Sequence, residues 1–185
     1  RAQPSYAVPP LTARLKEFKV LKTGDLPASD VKSVELYVDA QGNGSFCPPE
    51  AYLLAKCSNP DVLIGSATSA NWNGSFWSIE NLDTKFPAET LVTAVASRDY
   101  YFAVRISTAA NLETTRTFGL SLQTPNQHVK VSSVTAPIAV AANYFEMHTA
   151  TTTVMRAPAK MYTVVNSTYV NIAAFIDGVQ YSTAA

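Results

Sequence analysis

Hydrophobic and polar positions alternate with a period of two through most of this chain. Val34, Leu36 and Val38 alternate with Glu35, Tyr37 and Asp39, the pattern of a strand with one face in a core and one in water. Tyr100, Phe102, Val104 and Ile106 mark one face of a strand over Tyr100 to Ser107. Phe118, Leu120 and Leu122 do the same for Thr115 to Gln123. Arg14 to Lys22 is ambiguous, because Leu11, Leu15 and Phe18 suit a helical face while Phe18 and Val20 suit a strand; the strand is preferred. Further strands are predicted at Ser75 to Glu80, Val129 to Val134, Asn143 to His148, Lys160 to Val165 and Thr168 to Ile176, while Leu91 to Ser97 could be helix or strand, with Leu91-Val92-Thr93 lowering the helix option.

Turn residues separate these runs. Ser58-Asn59-Pro60-Asp61 predicts a hairpin joining Ala51–Cys57 to Val62–Thr68, and Asp177-Gly178 one joining Thr168–Ile176 to Val179–Ser182. Asn43-Gly44-Ser45-Phe46 recurs as Asn73-Gly74-Ser75-Phe76, which reads as two Asn-Gly turns each feeding an aromatic residue. Pro4, Pro9 and Pro10 remove backbone donors and favour an extended arm. About ten short strands at roughly 8–12-residue spacing predict an all-β, antiparallel β-sandwich, of jelly-roll type. The expected organisation is an arm over residues 1–13 and one sandwich domain over 14–185.

Composition narrows the function. The chain has 185 residues, 47% hydrophobic, enough for one sizeable core. Charged residues make up only 15%, against roughly 25% in an average soluble domain. The 14 basic and 14 acidic side chains balance, which argues against a free-standing nucleic-acid binder. Charge thins toward the end: after Glu113 there remain Arg116, Lys130, Glu146, Arg156, Lys160 and Asp177. So little charge in the last third suits surface covered by other protein. No apolar run approaches the roughly 20 residues of a membrane span. Arg1-Ala-Gln-Pro does not read as a signal peptide, and the missing initiator Met suits a processed product or a piece of a longer chain.

Candidate chemistry is thin. No G-x-S-x-G elbow, H-E-x-x-H or Cys-x-x-Cys occurs, and His128 and His148 lie in strand-like segments without a positioned nucleophile, so no enzyme is expected. Asp39, Glu50, Asp61, Asp83, Glu89 and Asp99 lie at or near loops and could contribute to a calcium site between chains, but none has the spacing of a calcium loop. Cys47 and Cys57 could bridge a turn; two small buried thiols are the preferred reading. The sequons at Asn43, Asn73 and Asn166 read first as turns and second as glycan sites. Trp77 is expected in the core, while Trp72, between Asn71 and Asn73, is the candidate recognition aromatic. Arg1, Arg14, Lys16, Lys19 and Lys22 face only Glu17 before Asp25. They read either as an edge strand guarded by lysines or as the end of a basic arm directed at nucleic acid.

A Pro-rich leader followed by basic residues, a neutral Thr/Ala/Val/Ser body and a charge-poor last third together resemble the coat proteins of small non-enveloped icosahedral viruses. The resemblance is one of organisation and composition. It implies a jelly-roll subunit that self-assembles into a closed shell in the virion, with its basic arm facing a viral genome, RNA by expectation, and sometimes calcium between subunits. The chain departs from that pattern in lacking an arginine-rich tract. The alternative is a secreted or surface β-sandwich binding carbohydrate or protein, suggested by Trp72, Tyr100-Tyr101 and the sequons.

Overall fold

A computed structural model describes residues 12–54, 57–93, 98–133, 146–155, 174–176 and 179–181. The longest strand is β1 (Thr12–Thr23), followed by β2 (Val31–Val38), a short helix α1 (Pro49–Leu53) and β3 (Val62–Thr68). Next come β4 (Phe76–Ile79), the one-turn helix α2 (Leu82–Lys85), β5 (Leu91–Thr93), β6 (Tyr100–Ile106), β7 (Arg116–Leu122) and β8 (Val129–Ser133). The last are β9 (Met147–His148), β10 (Thr152–Val154), β11 (Ala174–Ile176) and β12 (Val179–Tyr181).

The architecture is the all-β antiparallel sandwich that the alternation predicts. One sheet has seven strands in the order β10-β7-β1-β4, with β5 and β8 also on β1 and β9 on β7. The other has three, in the order β3-β2-β6. β1 is the spine of the larger sheet. β4 and β5 run antiparallel to it as one interrupted strand, and β7 and β8 as another. The edge-strand reading of the basic segment is therefore wrong: β1 is central. Lys16 is exposed and Lys19 and Lys22 are half-buried, while Leu15, Phe18 and Val20 are buried in the core. The register slips between Leu15 and Glu17, a bulge that leaves Lys16 exposed and lets Leu15 and Phe18 both face the core.

The core lies between the sheets. Val20, Val34, Leu36, Val38, Ile64 and Trp77 are wholly buried there, joined by Leu82 from α2. Each aliphatic side chain so buried contributes roughly 1.5–3 kcal/mol. Gly65 lets β3 pack closely against β4 and α2, because a Cβ there would collide with Ile79 and Leu82. Gly24, at φ +85° and against the Thr117 carbonyl, has no room for a side chain either.

Two further expectations are corrected. Ala51 to Cys57 is not the partner strand of Val62–Thr68; the Pro48-Pro49 pair instead starts α1, with proline in its first turn, and β3 pairs with β2. Cys47 and Cys57 are not free thiols but form a disulfide, with Cα atoms 6.0 Å apart. Folding back through α1 brings the two cysteines within bridging distance, which their spacing alone does not reveal. A third difference is partial. β2 does alternate, but its outer face is covered too, leaving Glu35 8% and Tyr37 2% exposed.

Thr12 and Ala13, assigned to the arm, already belong to β1, and the rest of the arm lies outside the described residues. The expected strand over Lys160 to Val165, the Asn166 sequon and the Asp177-Gly178 turn also lie outside them. The hairpin pairing itself is present, with Ile176 opposite Val179. No helix among the described residues is long and apolar enough to cross a membrane.

Candidate functional site

The basic residues after the arm do not gather in one place. Arg1 lies outside the described residues. Arg14 donates from Nε to the Pro87 carbonyl at 3.2 Å, Lys16 is exposed at the bulge, and Lys22 donates to the Gly24 carbonyl at 2.6 Å. Only Lys19 joins a larger assembly. Its ammonium is 3.4 Å from Glu17 and sits over the Phe76 ring, 5.1 Å from the centroid. Lys130 on β8 reaches the other Glu17 oxygen at 2.6 Å. Two ammonium groups thus share one carboxylate. With Asn126, Gln127 and His128 they line a shallow depression of about 300 Å³ on the outer face of the larger sheet.

His128 holds the loop beside that depression. Its Nδ1 accepts the backbone N–H groups of Gln123, at 3.1 Å, and Thr124, at 2.8 Å. This acceptor role assigns the neutral form with the proton on Nε2. Burial and then the Lys19 charge depress its pKa below the usual value. The depression offers cations, amides and an aromatic face, the groups that bind a phosphate or a base edge. It has no nucleophile and base in hydrogen-bonding order. The sequence pointed to Lys19 but not to His128 or Lys130 as its companions, because their association depends on β8 lying beside β1, whereas Glu17 is two positions away on the same strand.

Trp72 stands on Trp77. The two residues form an isolated antiparallel bridge and their ring centroids are 4.5 Å apart, tilted by 48°. Trp77 is wholly buried, as expected, and Trp72 is half-buried against the core. The Asn-Gly turns are where the repeat placed them. Asn73 Oδ1 accepts the N–H groups of Ser75 and Phe76, Asn43 Oδ1 accepts that of Ser45, and Gly44 and Gly74 adopt positive φ. Phe76 enters β4, whereas Phe46 leaves the sheet and packs on Tyr37 and Tyr101.

The outer face of the smaller sheet carries a polar network. Glu35 accepts from Ser33 Oγ at 2.9 Å and Arg105 Nε at 2.8 Å through one oxygen, and from the Tyr37 hydroxyl at 2.7 Å through the other. Arg105 also pairs with Glu50 of α1, tying the disulfide loop to the sheet. Burial opposes the Glu35 charge, but the donors from Tyr37, Arg105 and Ser33 outweigh it and hold the carboxyl below its usual range. Tyr37 is pushed up to about 12, by burial first and then by its bond to Glu35.

The loop carboxylates are mostly engaged by the fold itself. Asp39 accepts the N–H groups of Gln41, Gly42 and Gly44; burial works against its charge, yet these donors keep its pKa low. Asp61 Oδ2 accepts the Cys47 N–H at 2.8 Å, and Asp83 accepts from Ser132. Burial, with Asp39 nearby, raises the Asp61 pKa, and its Oδ1 has no protein partner. Among the described residues no group of three His, Cys, Asp or Glu side chains is arranged to hold a metal ion. Comparison with protein-family models, curated proteins and solved structures found no match.

Proposed function

We propose that this chain is a structural subunit that assembles with copies of itself, in its fullest form a jelly-roll coat protein enclosing a viral genome, RNA by preference. One observation carries the reading. Several charged side chains pair within the fold, Glu17 with Lys19 and Lys130 and Arg105 with Glu35 and Glu50, while large apolar ones face outward. Leu53 is 80% exposed, and Tyr52, Leu54, Leu63, Met147 and Met155 are exposed with it. Apolar groups in such number suit a surface covered in assembly. The basic depression at Lys19 and Lys130 supports genome contact in the same reading. Sedimentation or native mass measurement, with the 260/280 nm absorbance ratio, tests it. A megadalton particle rich in nucleic acid is expected, and a 19.9-kDa monomer across pH and ionic strength overturns it.

A second reading, a secreted or surface sandwich that binds carbohydrate or protein, is favoured by the Cys47–Cys57 disulfide, since disulfides persist in oxidising surroundings. Virion surfaces are among those surroundings, so the bridge is compatible with both. Glycan binding by an isolated monomer, lost in Trp72→Ala, would select the second.

A further inference from the structure

We propose that Asn73 is a self-modifying residue: its side-chain amide cyclises onto the backbone nitrogen of Gly74, and water then opens the ring to aspartate or isoaspartate.

The run Asn-Gly-Ser-Phe occurs twice, at residues 43–46 and 73–76, so the two amides share the same local chemistry. Both asparagines and both glycines are exposed. A glycine nitrogen has no side chain beside it to hinder attack on the preceding amide. What separates the two copies is the fold around them.

At the first copy the nucleophile is occupied. The Gly44 N–H donates to Asp39 Oδ2 at 2.7 Å, and Asp39 is buried. Attack on the Asn43 amide requires that nitrogen to give up its proton and turn away from the carboxylate. A hydrogen bond to a charged group opposes both. At the second copy no hydrogen bond among the described residues holds the Gly74 N–H. A Cβ placed on Gly74 would meet nothing within 4 Å, so the turn has room to move and water has access.

The electrophile differs as well. Asn73 Oδ1 accepts the N–H groups of Ser75 at 3.0 Å and Phe76 at 2.9 Å, and this reach lays the side-chain amide along the Gly74 peptide. Two donors on a carbonyl oxygen stabilise the oxyanion that forms when a nucleophile adds to its carbon. Among the described residues Asn43 Oδ1 accepts only the Ser45 N–H, at 2.8 Å.

The Gly74 nitrogen loses its proton to water and bonds to Asn73 Cγ. The Cγ–Nδ2 bond breaks, and Nδ2 takes up a proton and leaves as ammonia. Water then cleaves the cyclic imide, at Cγ to give aspartate or at the Asn73 backbone carbonyl carbon to give isoaspartate. Either product adds one negative charge to a chain whose formal charge is zero. Isoaspartate also lengthens the backbone by one carbon, next to the bridge between Trp72 and Trp77.

Peptide mapping by mass spectrometry, on the intact chain held folded and in denaturant in mildly alkaline buffer, tests the assignment. The quantity read is the rate of amide loss at Asn73 relative to Asn43. Folding should raise that ratio on the order of tenfold or more, the factor set by one charge-assisted hydrogen bond at Gly44. Methylation by an isoaspartyl methyltransferase should label the folded chain chiefly in the fragment containing residue 73. Neither measurement needs a variant, so no folding failure can intervene. A ratio that does not rise on folding, or a methyl label shared equally with residue 43, overturns the proposal.

Discussion

Arg105 and Glu35 lie 70 residues apart in sequence and meet through a 2.8 Å hydrogen bond from Nε to Oε1, on the outer face of a sheet where β2 and β6 run side by side. The pair is mostly buried, with 23% of the Arg105 side chain and 11% of the Glu35 side chain exposed. Removing the guanidinium would strand a buried carboxylate and free α1. Arg105→Gln is expected to cost about 2–4 kcal/mol by denaturant unfolding. An effect below about 0.5 kcal/mol would show that the network adds nothing.

The same network makes an alkaline prediction. Tyr37, raised to about 12, stays protonated in the folded chain after ordinary tyrosines ionise near 10. Because its folded pKa exceeds its unfolded one, its contribution is complete below pH 10 and is lost as pH rises toward 12. Ultraviolet titrations of wild type and Tyr37→Phe should coincide near pH 10 and differ by one phenol that ionises near 12 in the wild type. A phenol ionising near 10 in that difference would contradict the buried hydrogen bond.

His128 gives the acid counterpart. Its lowered pKa means that the folded state favours the neutral ring, so its contribution is complete above about 6.5 and declines as pH falls through the depressed value. Protonation would displace the two N–H groups that Nδ1 accepts. His128→Ala should lower Tm at pH 8 and lose much of that difference by pH 4. A constant difference across this range would rule out the acceptor role.

The disulfide closes a short loop, with its cysteines ten positions apart. Loop-closure entropy for that length amounts to about 2–3 kcal/mol. Replacing both cysteines by serine should lower stability by that amount, and reductant should reproduce the effect on the wild type. Equal melting temperatures with and without reductant would mean that the bridge does not form in solution.

Trp72→Ala should cost about 2–3 kcal/mol, because the indole packs on Trp77 at the margin of the core. Retained stability together with lost glycan binding would instead make Trp72 a recognition residue.

Local pattern was enough for most strands. Period-two alternation located β2, β6 and β7, and Asn-Gly turns located the bends at residues 43 and 73, because each signal is complete within a few consecutive residues. Trp77 was legible as core for the same reason. Helix α1 was not, since Ala51 to Cys57 carries a strand-like composition that Pro48-Pro49 and the closing disulfide override. The candidate site was legible only at Lys19.

What the sequence alone determined is the class of the molecule: a neutral, charge-poor sandwich of short antiparallel strands. Only the tertiary structure decided that β1 is a spine rather than an edge, that Glu17 is shared by Lys19 and Lys130, and that Glu35 and Tyr37 are buried. The physical reason is separation along the chain. Alternation is a property of neighbours, whereas strand order, and with it which charges meet, is set by segments as far apart as Glu17 and Lys130 that share one hydrogen-bonded sheet.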